Sequence, residues 1–173
     1  MLGFVTVTDS AGAADRLLTT TAAALQAQGL RLAGAVQHNL DRGPDQVCDM
    51  ELRILGTERV IGITQNLGTC AEGCRLDSGA LAQAVALAEA VLAQGADLVI
   101  VNKFGKQECF GNGFRSFIAE ALARDIPVLI SVAPEQLPGF HDFAGDLAQP
   151  VAAEAIAAWC LARTGASRTS APA

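Results

Sequence analysis

Apolar and polar positions along the chain alternate between strand-like runs and helical spacing. Leu2 to Val7 is a short apolar run that stops at Thr8-Asp9-Ser10-Ala11-Gly12, a loop of small and polar residues. From Ala14 to Gln28, Leu17, Leu18, Ala22 and Leu25 recur at helical spacing, and Gly29 is a natural stop. Leu32 to Val36 predicts a second strand, so the chain opens with a β-α-β unit. A less regular stretch, about 38–73, follows, with Gly43-Pro44 as a turn signal. Within it, Met50 to Ile54 and Arg59 to Ile63 flank Gly56 and read as a β-hairpin insertion.

Asp77 or Ser78 can cap a helix whose face is Leu81, Val85, Ala88, Val91 and Leu92, ended by Gly95. Leu98-Val99-Ile100-Val101 is apolar at every position, as in a strand covered on both faces of a parallel sheet. A loop from Asn102 to Gly113, a helix from about Phe114 to Arg124 and a buried strand from Val128 to Val132 come next. Glu154 to Leu161 predicts the last helix, and residues 165–173 a flexible tail. The alternation gives an α/β class with a mostly parallel sheet flanked by helices, in one domain over 1–164.

Composition narrows the class of partner. A chain of 173 residues is the length of one domain, and it buries about 70% of its unfolded surface without a staple. Twelve basic against eighteen acidic side chains give a net charge of −6, which argues against a broad nucleic-acid footprint. No apolar run approaches the roughly 18 residues of a membrane span, and Met1-Leu2-Gly3-Phe4-Val5 lacks a signal-peptide pattern. A cytoplasmic protein with no membrane insertion is the expectation. Five cysteines in such a chain read as thiols or ligands rather than a disulfide framework.

In open α/β sheets, ligands bind outside the carboxyl ends of the strands. The loop after the first strand is where a phosphate-binding Gly-x-x-x-x-Gly-Lys-Ser/Thr would sit. On that frame the chain has Thr8 and Ala13 for the glycines, Ala14 for the lysine and Asp15 for the hydroxyl. Arg16 supplies some positive charge, but Asp15 opposes a phosphate. The strand Leu98–Val101 ends in Asn102-Lys103, where such enzymes carry acids for magnesium and the attacking water. With both the Gly-Lys-Ser/Thr and the Asp-Glu absent, the chemistry turns from metal binding to anion binding, and efficient hydrolysis is not expected.

The segment from Asp97 through Asn102-Lys103-Phe104-Gly105-Lys106-Gln107-Glu108, with Gly111-x-Gly113-x-Arg115 and Pro127-Val128-Leu129, resembles a bacterial family of unknown function commonly encoded beside molybdate-transport genes. Gln37-x-Asn39, Cys48-Asp49-Met50-x-Leu52 and Cys74-Arg75-Leu76-Asp77 are similar to it as well, so the likeness runs through most of 1–165. More distantly, the lysine segment is similar to small P-loop nucleoside-triphosphatases, whose equivalent reads Asp-Glu-x-Gly-Lys-x-Glu. Gly105, Lys106 and Glu108 fit that pattern; Asn102 and Lys103 depart from it. The resemblance implies a P-loop-like three-layer sandwich and, from the family's gene neighbours, molybdate or a molybdenum-cofactor phosphate as ligand. It also implies molybdate-transport or molybdenum-cofactor proteins as partners.

Lys103 and Lys106 are the only lysines; the other ten basic residues are arginines. Two compact charges in one loop, with Arg115 nearby, read as an oxyanion site completed by backbone N–H groups at a helix start. The competing reading is ordinary surface lysines, with Glu108 as partner of Lys106. The expected ligand set is Asp9, Ser10, Ala11, Gly12, Arg16, Asn102, Lys103, Lys106, Glu108 and Arg115, with no catalytic residue. Asn102-Lys103 also has the start of the guanine-reading Asn-Lys-x-Asp, but Gly105 stands where the aspartate would be.

Cys48, Cys70 and Cys74 are a candidate soft site for zinc or iron, with reduced thiols as the bland alternative. Cys109 reads as a thiol near the ligand or one packed with Phe110, and Cys160 as core. His38 and His141 are lone histidines, His141 in a loop. Phe114 and Phe117 read as packing, and Phe104 as lining a pocket or a homodimer contact. The reading is a non-hydrolytic binding protein for a small anion. A weak nucleoside-triphosphatase or nucleotide switch, a thiol metal carrier and a ligand-free scaffold are its alternatives.

Overall fold

The structure, a computed structural model, describes residues 1–8, 12–40, 49–65 and 76–169, with side chains to Thr164. Its strands are β1 (Leu2–Val5), β2 (Leu32–Leu40), β3 (Asp49–Ile54), β4 (Val60–Gly62), β5 (Leu98–Phe104), β6 (Val128–Val132) and β7 (Ala148–Pro150). They form one sheet in the order β4-β3-β2-β5-β6-β1-β7. The five strands from β2 to β7 in that order run parallel, and β3 and β4 are antiparallel additions at one edge. The helices are α1 (Ala13–Ala27), α2 (Ser78–Ala93), α3 (Lys106–Cys109), α4 (Arg115–Ala123), α5 (Leu137–Ala144) and α6 (Ile156–Thr169). None is long and apolar enough to cross a membrane.

Strand alternation divides the core in two. Val99 and Val101 of β5 face α2, α4 and α5, meeting Leu81, Leu92, Phe117 and Phe140. Leu98 and Ile100 face α1 and α6, meeting Leu18, Leu25, Ile156 and Cys160. Both layers need apolar side chains from the same strand, which is why the run 98–101 is apolar throughout. Each large side chain fully buried there contributes about 1.5–3 kcal/mol relative to exposure. On the α6 side, Gly3 leaves room for Trp159: a Cβ there would stand 2.7 Å from the indole ring.

Several expected boundaries are corrected. The predicted hairpin is present as β3 and β4 and extends the sheet, while the strand before it is longer than expected. β2 runs on to Leu40, and β3 pairs with it from Ala35↔Ile54 to Leu40↔Asp49. Gln37-His38-Asn39 carries no apolar alternation because Gln37 is buried in contact with the amides of Asn39 and Asn102 while His38 and Asn39 are exposed, and backbone pairing with β3 holds this end of β2. The expected loop 102–113 contains the end of β5 and the short α3.

His141 lies not in a loop but on α5, against the rings of Phe4 and Phe140. Leu137-Pro138-Gly139 has turn-like composition, yet Pro is tolerated in a first helical turn, where its missing N–H has no intrahelical partner. β7 also escapes sequence reading, being three residues on an edge with Pro150 at its end. Finally, α6 continues through Thr169, past the point where the tail was expected to begin.

Candidate functional site

The carboxyl ends of β1, β2, β5 and β6 meet at one end of the sheet, and a bulge decides what is presented there. Val101 pairs with Ile130 and Phe104 with Val132, so Asn102 and Lys103 together oppose Ser131. An extra residue reverses the facing of everything after it. Phe104 thereby joins Val99 and Val101 on one side, packed with Phe140 and Phe143 at centroid distances of 5.2 and 5.5 Å. Ser131 Oγ donates to the Asn102 carbonyl and ties the bulge to β6.

Asn102, 3% exposed, sits at the centre of a polar network. Its Nδ2 donates to Asp15 Oδ1 at 2.7 Å, and its Oδ1 accepts from the Gln37 N–H at 2.9 Å. Asn39 Nδ2 donates to the other Asp15 oxygen at 2.7 Å, and Asn39 Oδ1 accepts from Gln37 Nε2 at 2.7 Å. Gln37 and Asn39 can share this network because alternate residues of a strand face the same way. Asp15 stands in the first turn of α1, behind Gly12, which caps the helix in the left-handed region at φ 74°. The hydroxyl and carboxylate positions of a magnesium-binding P-loop are thus side by side here, held by a carboxylate and an amide.

Glu108 has a different task. Its carboxylate, 5% exposed, accepts from the Gly105 N–H and the Phe114 N–H, each at 2.9 Å. This closes the connection between β5 and α4 around the acid. Gly113 completes the closure at φ +58°, where a Cβ would stand within 2.1 Å of Glu108 Oε1. The acid therefore holds the loop rather than pairing with Lys106.

Arg115 serves the same loop. Its Nη1 donates to the Glu108 carbonyl at 3.0 Å, and its guanidinium lies 4.5 Å from the centre of the Phe143 ring. Arg16 is exposed on α1, with Nη1 3.3 Å from where a Cβ of Gly12 would stand. Neither arginine borders the two cavities that flank the lysines.

Lys103 and Lys106 are exposed, and both border each of those cavities. The first, about 230 Å³, runs between β2, β3 and α2 over Met50, Leu52, Ile63, Leu76, Leu81 and Phe114, with Gln37 and Asn102 as buried amides on its wall. The second, about 290 Å³, opens toward α1 and β6 and is bordered by Asp15, Ser131, Glu135 and Gln136. The lysines stand between an apolar chamber and a second cleft that is the more polar of the two.

The remaining expectations sort by burial. Phe114 and Phe117 are packed edge to face at 5.6 Å. Phe104 is buried in the core, so it is not a dimer contact, although it reaches the border of the polar cleft. Phe110 is 80% exposed. Cys109 Sγ donates to Gln136 Oε1 at 3.3 Å and is packed on Gly139 rather than Phe110. Cys160 is core, and burial pushes its thiol up to about 12.

Asp9, Ser10, Ala11, Cys48, Cys70 and Cys74 lie outside the described residues. Among the described residues no cluster of three or more His, Cys, Asp or Glu side chains is placed to hold a metal ion. Sequence reasoning placed Asp15 at the phosphate-loop hydroxyl position but left it, Gln37, Asn39 and Ser131 out of the ligand set. For Gln37 and Asn39 the spacing on one strand face carried a signal.

A model built on a family of proteins of unknown function, DUF2478, matches residues 4–159. The chain belongs to that family. Over 147 residues it is also 37% identical to the molybdenum import ATP-binding protein ModC 2 of Bradyrhizobium diazoefficiens. That match covers 84% of this chain and 16% of the import protein, so this member of DUF2478 spans about one sixth of its relative's length. No solved structure matches the chain. The DUF2478 assignment and the import relative agree with the resemblance carried by the lysine segment.

Proposed function

We propose that this protein is a non-hydrolytic accessory protein that binds a small anionic ligand, an oxyanion or a phosphate-bearing molecule, at Lys103 and Lys106. The observation that carries the reading is that the chain's only lysines both border both cavities at the carboxyl end of the sheet. Ammonium groups are compact, strongly hydrated charges suited to such ligands.

The P-loop positions support binding without turnover. Magnesium takes oxygen ligands and pairs with substrate phosphates. Here both Asp15 oxygens accept amide N–H groups, and the amide nitrogen of Asn102 is turned toward that acid. The carboxylate of Glu108 is taken up by two backbone N–H groups rather than aimed at a water. The molybdenum import role of the relative supports molybdate or a molybdenum-cofactor-related ligand, and a partner in molybdate transport or cofactor handling. The ATP-binding activity named there is not carried over to this chain, which lacks the phosphate-loop lysine.

The test is the elemental content of protein purified from molybdate-fed cells, compared with the Lys103→Ala/Lys106→Ala variant. Near-stoichiometric molybdenum or phosphorus that disappears in the double variant is expected. Equal content in both proteins overturns the reading.

A further inference from the structure

We infer that the ligand is amphipathic: a ring-bearing organic phosphate whose apolar body enters the first cavity and whose anionic end lies against Lys103 and Lys106. This rests on the proposed binding at the lysines and specifies its chemistry. The two cavities are unequal hosts for an anion. The polar cleft carries the carboxylates Asp15 and Glu135 on its border, and a carboxylate repels an anion at close range. Among the described residues the apolar chamber has no exposed acid, since Glu108 is 5% exposed with both oxygens on the Gly105 and Phe114 N–H groups, whereas Glu135 of the polar cleft is exposed.

The walls of that chamber exclude a bare oxyanion as the best fit. A naked inorganic anion gives up hydration on entering and gains nothing from Leu52, Ile63 or Leu81. An apolar ring gains about 25 cal/mol for each Å² it removes from water there. At about 230 Å³ the chamber is smaller than the clefts of about 300–1,000 Å³ that enclose drug-sized ligands, so its occupant is one or two rings. Gln37 and Asn102 add buried amide groups to an otherwise hydrocarbon wall, 5% and 3% exposed. Gln37 uses one N–H on Asn39, whereas an amide offers two donors and a carbonyl, which suits the polar edge of a heterocycle.

The experiment is a calorimetric titration of the full chain with 1-naphthyl phosphate, inorganic phosphate, molybdate and 1-naphthol. Naphthyl phosphate is expected to bind at least about tenfold tighter than phosphate or molybdate, because ring burial is added to the same charge contact. Leu76→Gln and Met50→Gln, at half-buried wall positions and checked for unchanged thermal unfolding, should each erase most of that advantage. Lys103→Ala/Lys106→Ala should weaken naphthyl phosphate by at least about tenfold.

Lysine-dependent binding with no preference for the ring overturns the amphipathic ligand and leaves anion binding intact. Naphthol binding as tightly as its phosphate also overturns it. Binding of phosphate and naphthyl phosphate that ignores both lysine substitutions overturns the proposed function itself.

Discussion

Asp15 and Glu108 stand at the carboxyl end of the sheet, and their carboxylates are satisfied in opposite ways. Asp15, at the start of α1, accepts from two side-chain amides on separate strands, so three elements are locked together by one charge. Glu108, in the loop after β5, accepts from two backbone N–H groups of its own loop, so it shapes that loop and nothing remote. One acid fixes how the strands and helix meet; the other fixes the loop that carries Lys106. Among the described residues at this end, Lys103 and Lys106 are exposed, whereas Glu108 is buried and Asp15 is partly buried, each with its oxygens held by N–H donors.

The largest expected effect comes from removing the acid of that loop. Glu108→Ala orphans the N–H groups of Gly105 and Phe114, and should cost about 3 kcal/mol of stability in denaturant unfolding. Amide exchange should speed up across 105–114. A loss under about 1 kcal/mol would mean that the loop does not depend on its acid. Gly113→Ala should act in the same direction, since it places a methyl group against that carboxylate at a positive φ.

The lysines should behave in the reverse sense. Lys103→Ala/Lys106→Ala should leave unfolding free energy within about 0.5 kcal/mol, as at exposed positions generally. Its effect should appear in the titrations, where a tenfold loss corresponds to about 1.4 kcal/mol. A large stability loss would move these residues from the ligand to the framework.

The smallest effect sharpens the role of Asp15. Asp15→Asn removes one negative charge from the border of the polar cleft, and anion affinity should rise by about threefold. Stability should fall by about 1 kcal/mol because an amide nitrogen then faces a donor. If anion affinity fell instead, Asp15 would be positioning the site rather than opposing its ligand.

Much of the fold was legible locally. The apolar run at 98–101 and the helical spacing of Leu81, Ala88 and Leu92 report burial on the period of their own element. So did the strands at Leu2 and Val128 and the helices over α1 and α4. What escaped lacked such a period. α5 begins with Leu137-Pro138-Gly139, β7 is three residues long, and the end of β2 is polar, with three exposed residues. In the site, the lysines were legible because they are rare and adjacent in sequence. Arg115 was expected beside them, but its partners, the Glu108 carbonyl and a phenylalanine of α5, were not legible.

The sequence by itself determined that the chain is an α/β sheet protein, that the phosphate-loop lysine and the magnesium acid are missing, and that its lysines are concentrated in one loop. These follow from residue type and short-range period, which need no partner. Tertiary structure decided what the acids do. Asp15 meets Asn39 and Asn102 across separations of 24 and 87 residues. The bulge opposite Ser131 depends on pairing with a strand that follows it in sequence. Neither contact leaves a periodic trace, because hydrogen bonds between distant elements constrain two positions at a time, whereas a buried face constrains many.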